Sequence, residues 1–185
     1  MSSSKDEKKA FLKAATILID TREQQNKHIL KALDAMHVHY EQHKLDFGDY
    51  SFTADGRDFS LSCVVERKGC INELWGNITK ERERFEKELQ TARNIAGGCM
   101  LLIEGCGSWN ELRNYVVPEM EMLQRGRKVA EIGDTICNTL ESWRSRNRYA
   151  LDVVFSADKS QSAKLILNHF FWYWRNYKHQ TAPRR

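Results

Sequence analysis

The sequence predicts a single α/β domain. Short runs of β-branched and apolar residues alternate with longer segments in which apolar residues recur at helical spacing. The chain has 185 residues, of which 41% are hydrophobic and 10% aromatic. That is enough to bury one core, and it argues against a disordered chain. We find no internal repeat, low-complexity tract or interdomain linker.

The first half of the chain is dominated by predicted strands. In order, the predicted elements are a flexible tail (1–14), a buried strand (16–20), a helix (24–36) and two strands (48–54 and 59–68). Asp55-Gly56 lies between the last two strands and is a hairpin turn signal. In the strand predicted over 59–68, alternation places Phe59, Leu61, Cys63 and Val65 on one face.

The second half of the chain alternates more regularly between helices and strands. In order, it predicts a long helix (77–96), a buried strand (99–105), a weaker helix that ends near Pro118, a helix (128–144), a strand (149–156) and a last helix capped by Ser156 or Asp158. Gly97-Gly98 is expected to end the long helix. Residues 179–185 are predicted to be a basic C-terminal tail.

Charge and cysteine content narrow the class of protein. The net charge is +4 and the pI about 8.8, which allows a nucleic-acid partner without requiring one. Five cysteines without paired close spacing argue against a disulfide framework and a zinc knuckle. With no apolar signal core or membrane-length apolar run, we expect a soluble intracellular protein, cytoplasmic if prokaryotic or viral and nuclear if eukaryotic.

Acidic residues on or beside three predicted strands form the strongest functional pattern. Glu66 and Lys68 project from the same face of their strand, because side chains alternate with period two. Asp49 can lie close to Glu66 if the hairpin pairs as predicted, and Asp20 ends the first strand. Carboxylate oxygens are the ligands that Mg²⁺ and Mn²⁺ prefer, and a nearby lysine can orient or deprotonate a water or stabilise phosphate charge. This combination indicates metal-dependent hydrolysis of a phosphodiester.

Four motifs in this order resemble the nuclease domain of the XPF family of structure-specific endonucleases. They are ILIDTREQ, LDFGDYSF, VVERKGCINEL and ITKERERFEKEL, and the resemblance covers about residues 16–105 well. It implies a restriction-endonuclease-like fold, in which helices flank a mixed central sheet. It also implies a DNA endonuclease that uses Mg²⁺ or Mn²⁺ on flaps, forks or other branched DNA, in repair or recombination. The implied nuclease domain spans residues 15–178.

The resemblance also implies roles for individual residues. The implied catalytic residues are Asp20, Asp49, Glu66 and Lys68, and the implied metal ligands are Asp20, Asp49, Glu66 and the backbone carbonyl of Arg67. The implied DNA contacts are Arg22, Arg67, Arg82 and Arg84, with Glu23 and Asn72 in support. Asn72 departs from the family, which has an aspartate there. The family's helix-hairpin-helix module is also expected to be absent.

Several of these features have simpler explanations. Singly, each acidic residue is better explained as a cap, a turn residue or a solvated strand position. Arg82 and Arg84 alternate with glutamates, which is typical of an exposed helix with internal ion pairs. His37, His39 and His43 do not have zinc spacing and are expected at the surface.

Two rival functions remain open at this point. One is a non-catalytic DNA-binding or scaffold subunit, against which the intact acidic residues and lysine count. The other is a restriction-type or junction-resolving enzyme with the same chemistry. The last helix bears apolar residues around much of its circumference, including Phe170, Phe171, Trp172 and Trp174. This predicts a homodimer or a heterodimer with a related chain, unless residues 108–125 cover the helix. Phe171, Trp172 or Tyr173 could cover such a dimer surface or pack on the helix at Trp143, and a base-stacking platform is a weaker third option.

Overall fold

The computed structural model describes residues 4–115 and 130–181. Residue contacts divide the chain into two compact units, residues 1–66 with 160–185 (unit 1) and residues 67–159 (unit 2). The elements are α1 (Ser4–Ala14), β1 (Ala15–Asp20), α2 (Lys27–Ala35), β2 (His39–His43), β3 (Tyr50–Ala54), β4 (Arg57–Asp58), β5 (Val65–Lys68), α3 (Ile71–Thr79), α4 (Arg82–Ala96), β6 (Cys99–Glu104), α5 (Trp109–Arg113), α6 (Ala130–Arg144), β7 (Leu151–Ser156) and α7 (Ser162–Thr181).

Unit 1 is built on a mixed sheet centred on β1. Strand β2 pairs with β1 in parallel, and β3 pairs with its other edge antiparallel. Ile17, Leu18 and Ile19 are all buried, so both faces of β1 are covered, as expected for a continuous apolar run. Helices α2 and α7 pack together, and α7 also packs against β3.

The aromatic side chains of α7 are mostly internal to unit 1. Phe170 stacks on Phe52 of β3 with ring centroids 4.8 Å apart. Phe11 of α1 contacts Phe171 and Trp174, and all three side chains are buried. Residues 4–14, predicted as a flexible tail, therefore form a helix, because Phe11 completes the aromatic core. The predicted cover, residues 108–125, lies partly outside the described residues.

The predicted strand over residues 59–68 is wrong in its first half. Strand β4 is two residues long, and the chain then turns, with the Ser62 and Cys63 amides donating to the Phe59 carbonyl. The Asp58 carboxylate accepts the Ser60 amide and stabilises the same turn. Leu61 is consequently 53% exposed rather than on a buried face. Only Val65–Lys68 forms a strand.

Unit 2 contains the parallel strands β6 and β7, paired from Cys99↔Leu151 to Glu104↔Ser156. Helix α4 packs on β6 and α6 on β7, while α3 contacts both helices. The long helix predicted over 77–96 is two helices, α3 and α4. The Thr79 hydroxyl donates to the Trp75 carbonyl and the Glu81 amide donates to the Gly76 carbonyl, so α3 closes before α4 begins. Gly97 ends α4 in the left-handed conformation, as predicted.

Several other sequence-based expectations can be compared with the described residues. The five cysteines are free thiols. Within the described ranges, no helix is both long enough and apolar enough to cross a membrane. The predicted end of the weaker helix near Pro118 and the last residues of the C-terminal tail lie outside those ranges.

Candidate active site

Three carboxylate residues of unit 1 occupy one row across neighbouring strands. Ile19 pairs with Tyr50, and Tyr50 pairs with Val65. Asp20, Asp49 and Glu66 each lie one position beyond these paired residues, on the same side of them; we call them the carboxylate row. The Asp20 amide donates to the Asp49 carbonyl at 2.8 Å, and the Asp49 amide donates to the Val65 carbonyl at 2.8 Å. The three predicted residues therefore lie on neighbouring, hydrogen-bonded segments of the chain.

Gly48 allows this row to form. Its φ of +74° lies in the left-handed region that favours glycine. A Cβ at this position would lie 3.2 Å from both the Val64 Cβ and the Val65 carbonyl oxygen. The glycine before Asp49 therefore permits the close approach of the chain entering β5, where the Asp49 amide donates to the Val65 carbonyl.

Asp20 is the most enclosed member of the row, with 1% exposure. Its carboxylate accepts hydrogen bonds from the Arg22 amide (2.9 Å), Arg22 Nε (2.6 Å), Arg22 Nη2 (3.2 Å) and the Leu45 amide (2.8 Å). Burial alone would raise the pKa of Asp20, but these hydrogen bonds and the arginine charge outweigh it and lower the pKa. Asp20 is therefore held as a carboxylate.

Lys68 lies two residues beyond Glu66 on the same strand, and its side chain is 7% exposed. In unit 2 its Nζ lies 3.7 Å from Glu73 Oε1 and 4.6 Å from the centre of the Phe85 ring. The other carboxylate oxygen of Glu73 accepts the Gly69 amide at 2.8 Å. Glu73 and Phe85 thus restrict the position of the ammonium group.

Sequence reasoning missed Glu73 and a second glutamate, Glu104. Glu73 directly follows Asn72, the position at which the family has an aspartate. This neighbouring carboxylate could have been recognised in the sequence as a replacement for the missing aspartate. Glu104 ends an apolar strand and is fully buried, which was also a signal. It pairs with Arg67 at 2.8 Å between Nη1 and Oε2, and the Arg67 side chain is only 5% exposed. A buried, paired guanidinium counts against the predicted DNA contact by this side chain.

The other predicted arginines differ in their surroundings. Arg22 pairs with Asp20 but is 67% exposed. Arg82 pairs with Glu86 at 2.8 Å, and Arg84 pairs with two glutamates. The ion-paired helix is therefore present in α4, although both arginines remain partly accessible to solvent.

The structure also gives the positions of the predicted supporting residues, Asn72 and Glu23, and of the three histidines. Asn72 Oδ1 accepts the Tyr115 hydroxyl at 3.1 Å, a hydrogen bond that an aspartate could also accept. The Glu23 amide donates to the Asp20 carbonyl. His37, His39 and His43 are exposed, as predicted.

The donor chemistry of the carboxylate row fits a hard divalent cation, since all three side chains end in carboxylates. Adjacent strands are about 4.8 Å apart, so the outer members of the row are roughly 10 Å apart, with Asp49 between them. Across residues 4–115 and 130–181, no three Asp, Glu, His or Cys side chains are gathered closely enough to hold a metal ion.

The model of the ERCC4 domain matches residues 19–169 of this chain. The chain belongs to the ERCC4 domain family. The match includes the whole carboxylate row, Lys68 and the four predicted arginines. No curated protein sequence matches the chain.

Two solved structures share the fold of this ERCC4 domain. XPF from Aeropyrum pernix is 17% identical, with a TM-score of 0.59 over 89% of this chain and 68% of that chain. XPF from Aeropyrum pernix in complex with DNA is also 17% identical, with a TM-score of 0.57 over 91% of this chain and 74% of that chain. The predicted resemblance is confirmed: this is an XPF-type nuclease domain with a restriction-endonuclease-like α/β fold. Family membership supports a DNA nuclease function.

Proposed function

We propose that this ERCC4 domain is a divalent-metal-dependent endonuclease that cuts DNA at flaps, forks or other branched structures. The observation that carries the proposal is the carboxylate row, because three acidic residues lie next to the paired positions of three neighbouring strands. Carboxylates that face one another repel unless a cation or a proton is added. A scaffold subunit has no use for that arrangement, which favours catalysis over the non-catalytic alternative.

Asp49 would hold the cation, which would be Mg²⁺ or Mn²⁺. Glu66, Asp20 and the backbone carbonyl of Arg67 complete the protein ligands. When bound, such a cation neutralises charge on the scissile phosphate and activates a water for attack. Asp20 arrives already ionised, since its lowered pKa keeps it a carboxylate. Its hydrogen bonds with Arg22 must be exchanged for the cation, and the exposed Arg22 is then available to hold a phosphate.

Lys68 is the catalytic lysine in this proposal. It orients or deprotonates the attacking water, or stabilises negative charge on the phosphate in the transition state. Its Nζ, beside Glu73 and over Phe85, is held with little freedom before the substrate binds. Arg82 and Arg84 contact phosphates by exchanging their glutamate partners on α4, whereas Arg67 contributes through its backbone.

The proposal is tested by incubating the protein with end-labelled duplex, single-stranded, flap and fork DNA. Each substrate is tested with Mg²⁺, with Mn²⁺ and with chelator. We expect metal-dependent cleavage that favours the branched substrates. Lys68→Met should lower the cleavage rate by about 100-fold or more, in the range of a lost general acid or base, while the exposed Lys80→Met should cleave like the parent. Absence of cleavage with every metal and substrate would refute the proposal that the protein is an enzyme.

Pairing with a second chain is proposed on the resemblance to the family alone. The aromatic side chains of α7 do not support it, because Phe11 and Phe52 cover Phe170, Phe171 and Trp174 within unit 1. Sedimentation equilibrium at micromolar concentration tests the proposal. A dimer mass is expected, and a monomer of 21.6 kDa with full cleavage activity would contradict it.

A further inference from the structure

The positive charge of this protein is concentrated on two neighbouring helices of unit 1. Helices α1 and α7 together contain seven lysines and arginines against two acidic residues, a net charge of +5, whereas the whole chain carries +4. Helix α7 has no aspartate or glutamate in its 20 residues. The remainder of the chain therefore has a slight excess of acid, and these two helices carry the net positive charge.

The basic residues form a continuous surface. On α7, Lys164, Trp172 and Arg175 share one side at spacings of eight and three residues. On α1, Lys5, Lys8 and Lys9 share one side at spacings of three and one. These six residues are named here the α1–α7 face. Lys8 Nζ donates to Asn168 Oδ1 at 3.1 Å, and Asn168 lies between Lys164 and Trp172, so the two helices meet along this stripe.

An aromatic side chain lies within the α1–α7 face. Trp172 is 42% exposed, and the Arg175 guanidinium lies 5.3 Å from the centre of its ring. Arg175 also pairs with Glu7, which fixes its plane beside the indole. Aromatic side chains among basic residues are how proteins stack unpaired bases while neutralising the backbone.

This surface differs from an ordinary solvated helix. The exposed arginines of α4 are each paired with glutamates of the same helix, which lowers their attraction for a distant anion. Helix α7 has no acidic residue, and Glu7 of α1 is paired with Arg175, while Lys5, Lys9 and Lys164 are exposed. Helix α1 and the part of α7 beyond residue 169 also lie outside the stretch that the family model matches.

We propose that the α1–α7 face binds the sugar–phosphate backbone of DNA as a second contact, with Trp172 stacking on an unpaired base next to the duplex. The proposal rests on the DNA substrate of the proposed function. It supplies the attraction that the carboxylate row, which is itself negative, cannot provide. Each neutralised phosphate releases counterions, so the affinity for DNA falls as salt rises, with a slope set by the number of contacts.

The test is the salt dependence of DNA binding, measured by fluorescence anisotropy with a labelled fork in chelating buffer. Lys9→Gln/Lys164→Gln removes one charge from each helix of the face. The matched control, Lys27→Gln/Lys31→Gln, removes two exposed lysines from α2 of the same unit. The face variant should reduce the slope of log K against log salt by about 2 and weaken binding by roughly 10- to 100-fold at 0.1 M salt. The control should change neither value appreciably.

Trp172 is tested separately with Trp172→Leu. This variant should lose about tenfold in affinity for the fork, in the range measured for one stacked base, with the salt slope unchanged. Circular dichroism melting checks that each variant remains folded.

The proposal is overturned if the face variant keeps the parent slope, or if the control variant loses as much. It is also overturned if the protein binds phosphatidylserine vesicles but not DNA. Failure of the nuclease proposal is recognised independently, because cleavage is assayed with metal and binding without it. A chain that cleaves DNA but whose face variant binds like the parent refutes this inference alone.

Discussion

Glu86 of α4 holds the interior of unit 2 together, and its removal should destabilise the protein. Its carboxylate accepts hydrogen bonds from Trp143 Nε1 (3.1 Å), the Tyr149 hydroxyl (2.9 Å), Arg148 Nη2 (3.1 Å) and Arg82 Nε (2.8 Å). Trp143 and Tyr149 are buried. One carboxylate therefore connects α4 with the end of α6 and the turn that follows it.

The expected loss of stability can be calculated from the hydrogen-bond donors that lose their partner in Glu86→Ala. The Trp143 and Tyr149 donors each lose a partner where water has little access, at a cost of about 1–2 kcal/mol each. The two arginines are about half exposed, so each lost pair adds roughly 0–1 kcal/mol. We expect Glu86→Ala to lower the free energy of unfolding by about 3 kcal/mol.

Urea unfolding at pH 7, followed by circular dichroism, measures the difference. Glu88→Ala is the matched control, because Glu88 lies on the same helix and forms an exposed pair with Arg84. The control should change the free energy of unfolding by about 0.5 kcal/mol or less. Equal effects of the two substitutions would refute the assignment of Glu86 as a connecting residue.

The same carboxylate predicts a pH dependence. Burial alone would raise the pKa of Glu86, but the hydrogen bonds from Tyr149, Trp143 and Arg82 outweigh it and lower the pKa. The stabilisation is therefore complete above the unfolded pKa of about 4.3 and is lost as pH falls through the lower folded pKa. The parent should lose more stability than Glu86→Gln between pH 6 and pH 3. Parallel stability curves for the two proteins would contradict this explanation.

Two further predictions concern packing and catalysis. Gly133→Ala should destabilise the protein by about 1–3 kcal/mol, because its Cβ would lie 2.2 Å from the carbonyl oxygen of Arg113 in α5. Gly76→Ala is the control and should be neutral or slightly stabilising, because a Cβ there would meet open space. Equal melting temperatures for the two variants would contradict this prediction. Glu73→Gln should lower the DNA cleavage rate in the parent but not in Lys68→Met, because its effect passes through the lysine; the same loss in both backgrounds would indicate a general structural role.

The sequence was sufficient to predict the carboxylate row because short-range patterns define it. Two local features were visible in the sequence, the alternation of Glu66 and Lys68 and the Gly48-Asp49 pair. The order of the motifs indicated which strands are neighbours in the sheet. The β3–β5 register at Tyr50↔Val65 was not predicted, because it depends on the turn that precedes β5. The turn at Phe59–Cys63 was missed, because alternating apolar residues satisfy a strand pattern even where backbone hydrogen bonds close a turn.

Tertiary contacts account for the other differences. Phe11 lies in a short segment rich in lysine, so periodicity could not predict a helix that completes the aromatic core. The burial of Arg67 depends on Glu104, which is 37 residues away in the sequence. The break between α3 and α4 depends on a hydroxyl that bonds to the preceding turn, and helical spacing continues across it. Each of these features depends on a partner that local patterns do not identify.

The most direct test of the proposed active site is Mn²⁺ binding to the parent and to Asp49→Asn, measured by isothermal titration calorimetry. Asp49 is the central member of the carboxylate row, and the substitution removes its charge while keeping its size. Asp46→Asn, an exposed change in the same loop, is the control. We predict that Asp49→Asn remains folded but loses Mn²⁺ binding and DNA cleavage, while Asp46→Asn retains both. Equal Mn²⁺ affinity in Asp49→Asn and the parent would contradict the proposed metal site.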